Sequence, residues 1–468
     1  MSNRLFANLG FLLQIAGILT MLPIGIGFYF NETDAIISLF MVCVVFLCCG
    51  FLLNTLCERK DLDFKGSNFL FLVTFILLPL IGSIPYIYLN PFGSVNALDI
   101  FTNSYFESIS GFTTTGFTFI TNAELLPASI LIYRSLTELM GGVGIVFLFL
   151  VFFQSRVSLD KLSDATGITR VSSSFKKTYL SIFLIYSIYI LVFIVIFYVL
   201  GFTNLISTGT FVIDTITGGF QPQASIYQQY IALAPQICIL LLMLTGSLNF
   251  AFSYNLFAGK FQKMFSAEIV VFFFIILVGA VAVVFTSDVS AFDALFHVIS
   301  MSSSTGQSYL PFSTFGDTGY AILIVLMLIG GCSFSMAGGM RVSKLISFAK
   351  NIKETVISIL IMERAIEKPK KKPENDAKVS IEQLSASVSI LLLIMVLVIF
   401  ALLFTTVGVS FTDALFEVGS ALTTCGASVG ITTVTLPIGA KWLMIMAMTI
   451  GRVEILSILL ALFSLHKK

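Results

Sequence analysis

The sequence predicts an all-α polytopic membrane protein in which two N-terminal spans precede four repeats of span, re-entrant pore helix, loop and span, ten spans in all. Three observations predict it. Hydrophobic residues make up 57% of the 468 positions and charged residues only 11%, against roughly a quarter charged in a soluble domain. The charges cluster, leaving apolar runs of the ~20 residues that cross a bilayer. Between those runs lie shorter apolar segments, each ending in Ser, Thr and Gly, and three of them share one register.

The runs fall at 5–30, 34–56, 68–90, 128–154, 178–201, 229–258, 267–287, 319–366, 384–407 and 437–464. The first is longer than a signal-peptide core and no small-x-small cleavage site follows it, so it reads as a true span. An even number of spans puts both termini on one side. With that side inside, the inner segments collect Arg4, Arg59, Lys60, Lys65, Arg156, Lys161, Arg170, Lys176, Lys177, Lys260, Lys263, the basic residues from Arg341 to Lys378, and Lys467 and Lys468. Only Arg134 and Lys441 fall outside, which orients the chain by the positive-inside rule. The acids show the opposite bias: Glu32, Asp34, Asp99, Glu107, Glu124, Asp214, Asp288, Asp293, Asp317, Asp413 and Glu417 all fall outside. They are either what positive-inside topology leaves there or a vestibule that concentrates cations.

The short segments near 99–112, 208–217, 291–303 and 411–423 cannot span as helices. Aligned on a glycine, the first, third and fourth read FESISGFTTTG (106–116), FHVISMSSSTG (296–306) and FEVGSALTTCG (416–426). Phe stands ten positions before the glycine and Ser six before it in each, and the third and fourth share DALF (293–296 and 413–416). The second segment, FVIDTITGGF (211–220), keeps mainly its Thr-Gly-Gly-Phe end. The repeat divides the chain into 1–66, 67–170, 171–262, 263–378 and 379–468: two lone helices, then four pore units, the third with a broken second helix and a cytoplasmic linker.

Irregular backbone at membrane depth is tolerated where protein buries it or where it lines a water-filled cavity. Four such loops around a pseudo-fourfold axis can point carbonyl oxygens inward and replace an ion's hydration shell. Glycine takes the backbone angles this requires, and the neighbouring Ser and Thr add hydroxyl oxygens. Oxygen ligands without a ring of carboxylates suit a large monovalent cation. Further anomalies lie in the spans. The run after the third loop is interrupted by Gly330, Gly331, Cys332 and Ser333 and again by Gly338 and Gly339, which reads as close helix packing or as an unwound hinge. Arg452 lies deep in the last run, a costly place for a charge unless it faces a pore or a partner. Glu454, two residues on, faces another way. Glu138 is a third intramembrane charge, open to helix packing, polar capping or pore lining.

Other function classes find little support. Net charge is +1, giving no basic field for nucleic acid. The seven cysteines form no CxxC pair and read mostly as small buried hydrophobes. His297 and His466 are too few for a histidine-rich metal site. There is no HExxH, GxSxG or phosphate-cradling loop, so no enzyme is indicated. A secondary transporter with inverted repeats would need an axis in the membrane plane, whereas all four re-entrant segments enter from one side. The basic run KPKKKPEND in the 341–380 segment reads as a solvated linker that could contact anionic lipid or a cytosolic partner.

The strings SGFTTTGF with YRSLTELMGGVGI (133–145), GGCSFSMAGGMRV (330–342), and SALTTCGASVGIT with GRVEIL (451–456) resemble the Trk/Ktr/HKT superfamily of potassium transporters over nearly the whole chain. The two extra N-terminal spans make it most similar to the TrkH branch, with a KtrB-like tail on the fourth loop. The resemblance implies K+ as the transported ion, no cofactor on this chain, and filter strands at 114–117, 217–220, 304–307 and 424–427. The ion-facing residues would be Thr114, Thr115, Gly116; Thr217, Gly218, Gly219; Ser304, Thr305, Gly306; and Thr424, Cys425, Gly426. Glycine at all four filter points goes with potassium selectivity, and Ser in the first loop with sodium preference. The second loop departs from the family's Asn-Ala-Gly-Phe, and Gln307 is unusual after the third glycine. The glycine-rich stretch would be an intramembrane gating loop, with Arg452 beside it under the filter as an electrostatic barrier. The resemblance further implies a homodimer in the cell inner membrane, both termini cytoplasmic, working with a nucleotide-binding regulatory subunit of the TrkA/KtrA type. A sodium-preferring or sodium-coupled member of the same architecture is the alternative reading.

Overall fold

Apolar runs with few backbone alternatives to self-satisfaction become helices, and a computed structural model describes residues 2–57, 64–152, 175–220, 232–362 and 374–466 as helices and their connections. The described residues contain no strand. In chain order the helices are α1 (Ser2–Leu19), α2 (Met21–Phe30), α3 (Thr33–Leu56), α4 (Phe64–Gly82), α5 (Ile84–Leu89), α6 (Ala97–Phe112), α7 (Ala128–Phe152), α8 (Phe175–Val199), α9 (Leu205–Thr217), α10 (Leu233–Ser247), α11 (Phe250–Phe257), α12 (Ala267–Thr286), α13 (Ala291–Ser302), α14 (Gly316–Ile329), α15 (Val342–Met362), α16 (Glu374–Phe404), α17 (Phe411–Leu422), α18 (Ile438–Val453) and α19 (Ile455–His466).

Among the described residues seven spans are long and apolar enough to cross a membrane, or nine when each of two bent pairs counts as one. The bends are 110° between α10 and α11 and 89° between α18 and α19. The expected span at 128–154 coincides with α7, whose side chains are described only as far as residue 142. The basic residues at 156–170 and 368–373 lie outside the described residues.

One expected span is corrected. The run at 319–366 is not one helix: α14 stops at Gly330, where φ is +72° and ψ −165°, and helix resumes only at Val342. The second piece carries Lys344, Lys350, Lys353 and Glu354 and is not among the apolar spans. It packs instead along α16, with Asn351 bonded to Ser387 and Gln383 to Glu354.

The spans face lipid on one side and the short helices on the other. In 383–407 only 22% of the most apolar window is buried, and Leu391, Ile394, Leu402 and Leu403 project outward. The four short helices have 16, 13, 12 and 12 residues, about 18–24 Å at 1.5 Å per residue, less than the ~30 Å hydrocarbon thickness. They are the most enclosed part of the molecule. The repeated Phe at the tenth place before each glycine explains how they are held: Phe106, Phe296 and Phe416 are buried. They stack or pack edge-on against Phe119, Tyr309, and Phe312 with Tyr320, respectively.

Their outer ends are capped. Asn96 and Asn204 accept from backbone N–H groups one turn on. Ser290 and Ser410 do the same for Asp293 and Asp413, whose carboxylates accept from the serine hydroxyls in return. That two-way serine–aspartate cap, related to the capping box, gives the Asp of the shared DALF string its role.

Candidate functional site

The short helices end in loops that meet one another. Each ends on a hydroxyl that reaches back to the last turn: Thr113 to the Ile109 carbonyl, Thr217 to Ile213, Ser303 to Ser300 and Thr423 to Gly419, at 2.7–3.1 Å. The next residue turns left-handed, with φ of +56° at Thr114, +76° at Gly218, +57° at Ser304 and +51° at Thr424. The one after sends its N–H to a carbonyl five residues back, Thr115 to Ser110, Gly219 to Asp214, Thr305 to Ser300 and Cys425 to Ser420.

In three loops a glycine then follows with φ of +85° (Gly116), +66° (Gly306) and +77° (Gly426), a region closed to most side chains. Space forbids a side chain as well. A Cβ on Gly116 would fall 2.2 Å from the Gly219 carbonyl, on Gly306 2.2 Å from the Cys425 carbonyl, and on Gly426 1.9 Å from the Thr115 carbonyl. One on Gly218 would fall 2.7 Å from the Ser304 carbonyl. The loops therefore touch in cyclic order, first to second, second to third, third to fourth and fourth to first.

The second loop is one residue out of the register that its Gly-Phe ending suggests. By capping hydroxyl, left-handed turn and hydrogen bond, Thr217 matches Thr113, Gly218 matches Thr114, Gly219 matches Thr115, and Phe220 stands where the other loops have their glycine. Phe211 stands one place nearer its loop than the other three, six positions before Thr217 against seven from Phe106 to Thr113, Phe296 to Ser303 and Phe416 to Thr423.

The hydroxyls of Thr114, Ser304 and Thr424 are buried and find no hydrogen-bond partner among the described residues. Such groups cost about 1–3 kcal/mol each when left unsatisfied, and three at one matched position, on strained left-handed residues, mark a place built to present oxygen. The Gln307 amide nitrogen is likewise buried and unpartnered, while its backbone carbonyl accepts from Ser300 at 2.6 Å.

Carboxylates tie the loops' returning limbs. Glu107 accepts from Thr118 and from the Phe119 N–H, and is paired with Arg134 at 2.8 Å. Glu417 accepts from Ser428, the Val429 N–H and Thr432. These two acids, with Asp214, are buried, so the vestibule reading, one of the two their outer position left open, does not hold for them as exposed charges. Arg134 lies 3.9 Å over the Phe220 ring. Glu138 proves to be a loop anchor: its carboxylate accepts from the Phe220 N–H at 2.7 Å and the Thr217 hydroxyl at 3.1 Å.

Residues 330–341 form an irregular loop against the helix-end side of this ring. A Cβ on Gly330 would fall 2.2 Å from the Gly338 carbonyl, so the loop folds on itself. A Cβ on Gly338 would fall 2.1 Å from the Thr423 carbonyl and 2.3 Å from the Thr424 hydroxyl. The loop is pinned to the break between α10 and α11 by Cys332 N–H to Ser247, Met336 N–H to Gly246 and Phe250 N–H to Phe334. Glu268 accepts from the Ser333 N–H. The structure thus brings together Gly330, Gly331, Cys332, Ser333, Gly338 and Gly339 with Arg452, which donates to the Met336 carbonyl at 3.3 Å and the Gly141 carbonyl at 2.8 Å. Glu454 turns away and pairs with Lys344 and Arg341.

Two features escaped the sequence reading. Met336, buried at the loop's tip, has its sulfur 3.3 Å from where a Cβ on Gly142 would lie. And a glycine follows each of the three matched filter glycines by 25 positions: Gly141, Gly331 and Gly451. A Cβ on Gly141 or Gly451 would strike the last carbonyl of its own pore helix, Phe112 or Leu422, and Gly246 stands likewise against Ile216. In the third repeat that helix has already unwound at Gly330, and Gly331 meets Ala337 and Ser247 instead. The spacing was readable from the sequence.

Comparison with known proteins agrees with this fold. Residues 256–467 match the family model of TrkH, a cation transport protein. The chain is 27% identical over 470 residues to an uncharacterized cation transporter, MJ1485, of Methanocaldococcus jannaschii, covering 98% of this chain and 95% of that protein. It is 27% identical over 429 residues to the Trk system potassium uptake protein TrkH of Halomonas elongata, covering 86% and 85%. The crystal structure of the potassium transporter TrkH from Vibrio parahaemolyticus superposes with a TM-score of 0.84 over 100% of both chains at 22% identity, which shows the shared fold. The resemblance drawn from the motifs is thereby shown, with TrkH the branch to which the chain is most similar. The chain thus shares the TrkH fold, and its residues 256–467 carry the TrkH match.

Proposed function

We propose that this chain, similar to the TrkH branch of the Trk/Ktr superfamily through most of its length, is the membrane subunit of a potassium uptake system. K+ would cross through a filter built from residues 114–117, 217–220, 304–307 and 424–427, four pore units around one axis. The observation that carries the reading is the matched set of buried, unpartnered hydroxyls at Thr114, Ser304 and Thr424 beside glycines that can bear no side chain. Inward carbonyls and hydroxyls offer a dehydrating cation oxygen ligands in place of water. The four pore helices aim their C-terminal ends, the negative pole of the dipole, at the same place. The chain itself holds the loops rigid through Glu107, Glu138 and Glu417, so ligands are fixed before the ion arrives.

Below the filter, residues 330–341 act as the gate. Gly338 against Thr423 and Thr424 leaves no room for an ion to leave the filter on that side of the fourth loop, and Arg452 adds a positive charge that repels cations. Opening requires the loop to withdraw, and glycines at 330, 331, 338 and 339 give it backbone freedom to do so. The basic residues set both termini in the cytoplasm of a cell inner membrane. Two copies of the chain would associate in lipid, one pore each, with a nucleotide-binding subunit of TrkA/KtrA type docked on the cytoplasmic face to move the gate. Glycine rather than serine at 116 favours potassium over the sodium-preferring alternative.

Competitive flux tests the reading. Purified protein in proteoliposomes should carry Rb+ inward under a K+ gradient, with excess K+ blocking the flux far more effectively than excess Na+. Equal block by the two ions would remove the basis for calling it a potassium pathway.

A further inference from the structure

In three pore helices the residue after the core Phe reaches the returning limb of its own loop, eleven positions on. Glu107 binds Thr118, Glu417 binds Ser428, and His297 lies with Nε2 3.4 Å from the Ser308 hydroxyl. In the register that Thr217 sets, the second pore helix has Phe211 there, and a phenylalanine side chain cannot take the place of a carboxylate as acceptor. Yet its loop is not left loose. Glu138, from α7 of the preceding repeat, inserts a fully buried carboxylate that takes the Phe220 N–H on Oε1 and the Thr217 hydroxyl on Oε2. Asp214 and Arg134 face the same carboxylate.

Gly219 fits this arrangement and no other. It is absent from the positive-φ residues that include Gly116, Gly306 and Gly426. The atoms nearest a Cβ on it would be those of the Glu138 carboxylate, with both oxygens at 1.9 Å. The other three glycines make room for the next loop; Gly219 makes room for an acid.

We infer that Glu138 is the positioning residue of the second loop, fixing its one-residue-shifted register from outside the ion path, and that Gly219 exists to admit it. The inference rests on the reading of these loops as a filter. Phe220, whose N–H Glu138 holds, then contributes its backbone where the other loops contribute glycine, so the filter is threefold glycine with one substituted quarter. A loop freed from Glu138 keeps its residues but loses its register, and the K+ to Na+ preference falls without any ion-facing side chain being changed.

The experiment is competitive K+ and Na+ block of Rb+ flux in proteoliposomes, with monodispersity in detergent confirming folding. Glu138→Ala should lower the K+ to Na+ preference about tenfold, the size expected for losing a hydrogen bond to a charged acceptor. Glu138→Gln should restore most of it, because the amide oxygen still accepts from the Phe220 N–H. Gly219→Ala should cost about as much as Glu138→Ala, and the double variant no more than either, since groups in contact are non-additive. If Glu138→Ala does not fold, Gly219→Ala in the Glu138→Gln background answers the same question, because glutamine is as bulky and the loss should persist in full. Equal, multiplying losses from Gly219→Ala in the wild-type and Glu138→Ala backgrounds would overturn the inference. Gly116→Ala serves as the separate control. Unchanged selectivity there would sink the filter reading itself, whereas loss there with an unchanged Glu138→Ala would sink only the role of Glu138.

Discussion

Arg452 donates to the carbonyl of Met336, so that a guanidinium carried by α18 holds the tip of a loop that lies 116 residues earlier in the chain. Its second bond, to the Gly141 carbonyl, ties the same group to the first repeat. One buried cation therefore links three of the four pore units at the level where the chain closes beneath the loops. Placing an arginine at such depth costs about 2.5–3.5 kcal/mol, and its Nε finds no partner among the described residues. The Gly141 carbonyl offsets part of that cost, and the Met336 carbonyl adds to that offset only while the loop is in place.

Removing the guanidinium should free the loop and remove the barrier charge together. Arg452→Ala is expected to raise basal flux severalfold in proteoliposomes without the regulatory subunit. Arg452→Lys should fall between, since lysine keeps the charge but cannot reach both carbonyls in a planar fork. Unaltered transport in Arg452→Ala would show that the residue has no part in gating.

Gly338 offers an independent probe of the same closure. An alanine there must displace either the loop or the Thr423 carbonyl by more than an ångström, given the 2.1 Å approach. We expect Gly338→Ala to raise flux and to increase modification of Cys332, which is buried at rest, by a membrane-permeant thiol reagent. Slower labelling than in the wild type would argue that the loop has tightened instead.

The Glu107–Arg134 pair should matter for stability more than for permeation. Both side chains are buried, and breaking such a pair leaves an uncompensated charge worth about 3–5 kcal/mol. Arg134→Ala should lower the unfolding temperature in detergent markedly, and Arg134→Ala with Glu107→Gln should recover part of the loss. A double variant less stable than the single would contradict the pairing argument.

In the first loop, Gly116→Ser introduces a side chain at φ +85° against the Gly219 carbonyl. The expected result is a K+ to Na+ preference reduced by about tenfold or more, read from competitive block as the cost of a strained, displaced carbonyl. Full retention of preference would mean that the first loop does not contact the ion.

Much of this architecture was legible because its physics is written in short-range patterns. Apolar runs announce spans, and Phe at a fixed distance from glycine announces a pore helix, since one must be buried and the other must turn. The glycine-rich interruption at 330–339 also announced a broken helix, though not that Lys344 and its neighbours would take α15 out of the apolar spans. What stayed hidden depends on partners remote in sequence. Glu138 lies 82 residues from the N–H it binds, and nothing in YRSLTELMGG says which loop it serves. The second loop's register misled for a similar reason. Its Gly-Phe ending matches the first loop by letter, while the capping hydroxyl of Thr217, which sets the turn, sits one place nearer that ending than Thr113 does.

The central claim is that oxygens of four loops surround a monovalent cation on a common axis. Crystals soaked in Tl+ or Rb+ and measured at the anomalous edge test it most directly. The account predicts anomalous density inside the ring bounded by Thr114, Gly218, Ser304 and Thr424 and the glycines above them. Density only outside that ring, with none between the loops at saturating ion, would contradict it.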